Sequence, residues 1–109
     1  MIFQGKIIKV STLIVLCIGT MAFSQIKSTT HTIEIKNMKF FPAILTVNKG
    51  DKVVWVNKDF VQHCITDELK KAWTSKILDP NKSWSKIITK NESYFCNLHK
   101  VMKGKIIVK

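Results

Sequence analysis

From Thr30 to the end of the chain, apolar residues recur in short runs with a period of two, and clusters of Asn, Asp, Lys, Gly and Pro separate the runs. That period belongs to half-buried strands. In Thr30–Lys36 (THTIEIK), Ile33 and Ile35 share one face and Thr32 and Glu34 the other. Phe40-Phe41-Pro42 and the run Ile44–Val47 follow, and Asn48-Lys49-Gly50-Asp51 reads as a turn. Lys52–Val56 (KVVWV) is apolar on both faces, which predicts a covered strand, and Asn57-Lys58-Asp59 ends it. A further strand segment, Phe60–Thr66, carries His63 and Cys64. Asp67–Lys71 reads as one helical turn or a loop, and Leu78–Lys82 as a loop broken by Pro80. Trp84–Thr89 is another strand, Lys90–Ser93 another turn, Tyr94–Cys96 leads into a last loop, and Lys105–Val108 is the closing strand. Several short strands at this spacing predict an all-β fold, a β-sandwich with no internal repeat or domain boundary.

The first residues break the pattern. Met1–Lys9 carries Lys6 and Lys9 and no acid, Val10–Ile18 is apolar apart from Ser11 and Thr12, and Ala22-Phe23-Ser24 places small residues where a signal peptidase reads. Residues 1–24 are therefore expected to be a cleavable signal peptide, with residues 25–109 as the mature domain, periplasmic or secreted. The apolar run is short of the roughly 20 residues that a spanning helix needs. A lipid anchor on Cys17 is the competing reading, opposed by the bulky Leu16 before it.

Charge and cysteine content then narrow the function. The chain has no arginine, and its lysines give a formal net charge of +11, or +9 once Lys6 and Lys9 leave with the signal peptide. Such a field favours an acidic partner or an anionic surface, the plainer reading being a solvated lysine shell on a small monomer. Dispersed lysines, export and the lack of a recognition motif argue against nucleic acid. Without Cys17 only Cys64 and Cys96 remain, enough for one disulfide at most. A domain this small often gains its stability from a staple, and a metal can serve as one.

The chemistry concentrates in Cys96-Asn97-Leu98-His99-Lys100-Val101-Met102, where Cys, His and Met recur three apart. Thiolate, imidazole and thioether are donors that suit copper, and His63 supplies a second imidazole from upstream. His₂Cys with a weak axial Met is the ligand set of blue copper sites, whose fixed geometry suits electron passage rather than substrate chemistry. Zinc is the nearest rival for His₂Cys, but Met is a poor zinc ligand. No catalytic triad or phosphate loop is visible, and three histidines are too few for a multicopper oxidase. His31 reads as a surface residue, and Trp55, Trp73 and Trp84 as packing.

With those residues in view, the chain resembles the cupredoxins, in particular the plastocyanin, pseudoazurin and amicyanin branch. The resemblance runs from Thr32 to Lys109 and is carried by Asn37–Pro42 (NMKFFP), Val47–Asp59 (VNKGDKVVWVNKD), His63, Leu78-Asp79-Pro80, Tyr94-Phe95-Cys96 and Met102-Lys103-Gly104. It implies a Greek-key β-sandwich holding one type 1 copper ion, with His63, Cys96 and His99 as equatorial ligands and Met102 as the axial one. It also implies single-electron transfer between redox proteins, with His99 as the electron exit inside an apolar patch formed by Phe41, Leu98, Val101 and Pro42. Two positions depart from the family pattern. Cys64 follows the first ligand histidine where Asn, Thr or Ser is usual, and Gln62 precedes it where Pro is common. Cys64 is read as a small buried residue, against a redox-active thiol able to bridge to Cys96 or a participant in metal binding. A copper carrier or storage protein using the same four ligands is the alternative to the electron carrier.

Overall fold

The structure, a computed structural model, describes residues 27–109. The expected signal peptide, its cleavage point and Cys17 lie outside the described residues. The described residues form eight strands: β1 (Thr30–Lys36), β2 (Lys39–Phe41), β3 (Ile44–Val47), β4 (Lys52–Asn57), β5 (Thr66–Asp67), β6 (Ser83–Ile87), β7 (Glu92–Cys96) and β8 (His99–Val108). They form two four-stranded sheets, ordered β2-β1-β4-β6 and β3-β8-β7-β5. β1 pairs with β4, and β3 with β8, in parallel; the other pairings are antiparallel. The expected all-β sandwich is what the chain forms.

Alternation decides what each sheet buries. Ile33 and Ile35 of β1, Val53 and Trp55 of β4, and Tyr94, Met102 and Ile106 of β7 and β8 enter one core, joined by Phe40, Val47, Ile65, Leu78 and Ile88. β4 departs from the sequence reading. Val53 and Trp55 are buried, but Val54 and Val56 on the other face are only half-covered. The strand is enclosed by its neighbours β1 and β6 within the sheet, not by a second layer on both faces.

Of its two readings, Asp67–Lys71 takes the loop and not the helical turn. The Asp67 carboxylate accepts hydrogen bonds from the N–H groups of Ala72, Leu69 and Lys70 at 3.0, 3.2 and 3.3 Å, closing the loop around itself. Two boundaries differ from those the residue pattern implies. His63 lies outside the strands, in a connection fixed by an isolated bridge to Leu78. The closing strand begins at His99 rather than Lys105, so the Cys96–Met102 segment is a tight β7–β8 turn at Asn97-Leu98 followed by strand.

Gly104 of β8 faces Tyr94 of β7 in register, and the Tyr94 ring lies directly over it. A methyl group there would collide with a ring that is itself fully buried and has nowhere to swing. Gly104→Ala is therefore expected to destabilise the domain by about 1–3 kcal/mol. Urea unfolding would check this, and an unchanged midpoint would refute it.

The pole opposite the β7–β8 turn is tied by Asp51. Its carboxylate accepts from the N–H groups of Thr29 and Asn48, each at 3.0 Å, and pairs with His31 Nε2 at 2.9 Å. His31, expected on the surface, is thus half-buried against the Asp51 carboxylate. The Thr29 hydrogen bond, then His31 and Asn48, hold the Asp51 carboxyl down from 3.8 to about 2. A depressed value means that the native state binds this proton less readily than the unfolded chain does. The resulting stability is complete above pH 3.8 and disappears as the pH falls through about 2. Asp51→Asn is expected to flatten this acid limb in thermal unfolding measured across that window. A limb as steep as the parent's would show that other carboxylates carry it.

Candidate metal centre

Four connections meet at one end of the sandwich. They are the β1–β2 turn at Asn37-Met38, the segment after β4 from Lys58 to Ile65, the Leu78–Lys82 loop, and the β7–β8 turn. His63 reaches this end because its backbone N–H and C=O bond the C=O and N–H of Leu78, at 3.2 and 2.7 Å. Cys96 is the last residue of β7 and His99 the first of β8, paired across the turn.

His63 is fully buried, and its two ring nitrogens have different tasks. Nε2 lies 2.8 Å from the Asp59 carboxylate. A carboxylate only accepts, so Nε2 carries the proton, and in the neutral ring Nδ1 keeps its lone pair. That Nδ1 lies 3.7 Å from Cys96 Sγ. His99 follows the same logic. Its Nε2 donates to the Gln62 carbonyl at 3.2 Å, which in the neutral ring leaves Nδ1 unprotonated with its lone pair free. The His99 ring meets the His63 ring edge-on, centroids 5.0 Å apart. Met102 is buried in the same core cluster as Cys96.

Burial pushes the Cys96 thiol above its ordinary range, while N–H donors from Cys64, Leu98 and His99 pull the other way. The Cys64 N–H approaches Cys96 Sγ at 3.4 Å. The thiol is therefore protonated when no cation is near. When it is deprotonated, a thiolate and an imidazole lone pair face each other in a dry pocket and repel unless a cation lies between them. Their separation is shorter than the roughly 4.3 Å that a metal–sulfur and a metal–imidazole bond span end to end, so an ion can touch both in a bent arrangement. The donors present thus fit a thiophilic cation. Among the described residues, no three His, Cys, Asp or Glu side chains already converge as a ready metal cage. The structure brings His63 and Cys96 into contact and sets His99 against His63.

Cys64 is buried in the core and unbridged, its Sγ 4.0 Å from Thr66 Oγ1. Its backbone N–H, rather than its side chain, reaches Cys96 Sγ, a contact that any residue type but proline at this position could make.

The exposed apolar face is wider than expected. Phe41, Leu98 and Val101 are exposed beside Pro42, and Met38, Val61 and Phe60 join them; Phe60 is 99% and Val101 91% accessible. Met38, Phe41, Val101 and Met102 line one groove of about 360 Å³. Asp59, Phe60 and Val61 were missed in the sequence because the segment reads as a strand end. The available signal was the four-residue spacing from Asp59 to His63.

A cupredoxin-like domain family matches residues 9–108 of the chain. The chain belongs to the cupredoxin-like family. This cupredoxin is 26% identical over 95 residues to amicyanin from Paracoccus versutus, covering 80% of this chain and 70% of that protein. Among solved structures it resembles the oxidized state of a proline-to-alanine mutant of amicyanin, with a TM-score of 0.70 at 23% identity, over 78% of this chain and 87% of that one. It also resembles a copper-containing nitrite reductase from Thermus scotoductus, with a TM-score of 0.68 at 20% identity. That match covers 83% of this chain but only 24% of the reductase, and is a likeness of fold.

Proposed function

We propose that this cupredoxin is a small electron carrier that binds one copper ion through His63, Cys96, His99 and Met102. The observation that carries the reading is the buried contact of His63 Nδ1 with Cys96 Sγ, with the opposite nitrogen of His63 held by Asp59. Copper supplies a one-electron couple when bound. The chain's own residues do the rest. Asp59 fixes the His63 tautomer, the Gln62 carbonyl fixes that of His99, and the Cys64 N–H stabilises the thiolate charge. Met102 offers a weak thioether from β8, the donor that tunes the potential of such sites. The enclosing core limits how far any of them can move between oxidation states.

Electrons pass at His99, the half-buried ligand, through the apolar face around it. The redox partner is a protein with an apolar patch rimmed by acidic groups, because exposed Lys39, Lys58 and Lys100 lie within two positions of exposed Met38, Phe60 and Val101 in the chain, whereas Lys103 is already paired with Glu68 at 2.7 Å. The protein acts as a monomer in the periplasm or outside the cell, after removal of residues 1–24, and is not itself an enzyme. No helix among the described residues is long and apolar enough to cross a membrane. Likeness to amicyanin, in sequence and in fold, favours the carrier of electrons over a copper store.

The test is to express residues 25–109, add Cu(II), and record a visible spectrum and a voltammogram. An intense blue colour and a reversible one-electron wave are expected. A colourless protein that holds tetrahedral zinc would overturn the reading. Exchange rates with an acidic partner should fall as salt is raised, since the Debye length is only about 8 Å at physiological ionic strength.

A further inference from the structure

The Asp59 carboxylate is a junction. Oδ1 accepts from the backbone N–H of Asn37 at 2.7 Å, and Oδ2 accepts from the N–H of Met38 at 2.9 Å and from His63 Nε2 at 2.8 Å. Partial burial works against its ionisation, yet the Met38, His63 and Asn37 donors outweigh that and hold the carboxyl below its ordinary range.

Both ends of the junction are held from elsewhere. Asn37 and Met38 are the central residues of the two-residue β1–β2 turn, with φ of +52° and +60°. Such primed turns favour Asn, Asp and Gly, and a methionine sits in the left-handed region against its preference. Two charge-assisted hydrogen bonds to this turn offset that. On the other side, the Asp59 N–H donates to Asn57 Oδ1 at 2.9 Å. The buried Asn57 amide in turn donates to the carbonyls of Val61 and Leu78, each at 2.9 Å. Leu78 bonds the His63 backbone, so the chain of hydrogen bonds returns to the residue it started from. The exposed side chains next to this ring are Met38 on the turn and Phe60 directly after Asp59.

We propose that Asp59 is a positioning residue that locks the His63 imidazole to the β1–β2 turn, so that the ligand and the Met38–Phe60 edge of the docking face form one rigid unit. This deepens the electron-carrier reading, and its copper measurements rest on that reading. Contact by a partner at Met38 or Phe60 is then felt at His63 through one carboxylate.

The test compares Asp59→Asn and Asp59→Glu with the parent. An asparagine offers one acceptor oxygen where three donors converge, and turns an NH₂ toward them. In metal-free protein, Asp59→Asn should speed amide exchange at both Asn37 and Met38 by tenfold or more. It should also shift the ¹⁵N signals of the His63 ring away from a pure Nε2–H tautomer. In the loaded protein, copper loss to a chelator should rise on the order of 10–100-fold, with a shifted reduction potential. Asp59→Glu keeps the charge and should fall between the two in all four readouts. Faster exchange in the turn with an unmoved His63 ring signal and potential would make Asp59 a purely structural brace and overturn the proposal. If Asp59→Asn does not fold, the parent alone decides. A His63 ring carrying its proton on Nδ1 in the metal-free parent overturns the proposal, and a protected Nε2–H supports it. A parent that takes up no copper would sink the electron-carrier reading, while the exchange and tautomer measurements would still decide the role of Asp59.

Discussion

Cys96→Ser is expected to abolish the intense visible band altogether and to leave a protein that surrenders copper to a chelator the parent withstands. The reasoning starts from the donor. A serine hydroxyl keeps its proton at neutral pH and is a hard ligand, whereas a thiolate is soft and is deprotonated outright by a bound cation. In the metal-free parent, burial keeps the Cys96 thiol protonated. Loading must therefore expel that proton, and uptake should acidify an unbuffered solution. In Cys96→Ser no such release follows. Stability gives an independent check, because a ligand that binds only the folded state stabilises it by about 2.7 kcal/mol at a hundredfold excess over its Kd. The thermal midpoint of the parent should rise on adding copper and that of Cys96→Ser should hardly move. Met102→Leu separates the roles of the two sulfur donors. It should keep the blue band and shift the potential, if the thioether is the weak axial ligand proposed for it. A blue Cys96→Ser protein would remove the thiolate from the site and with it the ligand assignment.

How much of this was legible in the sequence depends on the range of the interaction. The core face of β1 follows from alternation alone, because Ile33 and Ile35 lie within one strand and their period is local. Cys96, His99 and Met102 could be picked out as candidates for the same reason, since all three lie within seven consecutive residues spanning the end of β7, the turn and the start of β8. His63 could be proposed from the donor chemistry, but not its placement outside a strand, which depends on a bridge to Leu78 fifteen positions away in the chain. The start of β8 at His99 was hidden because Lys100 and Val101 are both exposed, so the period of two is broken where the strand begins. Asp59 is the clearest case of what periodicity cannot carry. Its partners include Asn37 and Met38, about twenty residues upstream, and hydrogen bonds to backbone N–H groups leave no mark on side-chain patterns. The His31–Asp51 pair was missed for a like reason. A histidine in a polar run reads as solvated until a parallel β1–β4 pairing sets it near the turn that begins β4.

The largest effect on the fold itself is expected from Trp55→Ala, and a contrasting substitution shows why. Trp55 is fully buried at the middle of β4, between Ile33 of β1 and Trp84 of β6. Its ring meets Tyr94 edge-on at 5.4 Å and Trp84 at 5.5 Å, so it joins the two sheets at the centre of the core. Truncating a buried tryptophan to alanine costs about 3–5 kcal/mol. A domain of this size is stable by roughly 0.05–0.15 kcal/mol per residue, so the loss removes a large part of the total. The urea midpoint should drop steeply and the metal-free variant should be partly unfolded near body temperature. Tyr94 offers the control. Its hydroxyl makes no well-formed hydrogen bond and has only the Trp55 indole N–H, itself otherwise unpartnered, to set against burial, which pushes the phenol up to about 12. Tyr94→Phe deletes a poorly satisfied polar atom and keeps the ring, and the Trp55 indole N–H was no more than weakly paired before, so the expected change is small. If Tyr94→Phe instead loses more than about 1 kcal/mol, the typical net worth of a hydrogen bond, the hydroxyl has a well-formed partner and the centre of the core is packed differently. The two substitutions also bear on the metal centre. β4 ends in Asn57, which anchors the His63 connection, and β7 ends in Cys96. Loss of the Trp55 ring frees both strand ends together, so Trp55→Ala should weaken copper retention although Trp55 is not one of the proposed ligands, while Tyr94→Phe should leave it as it was.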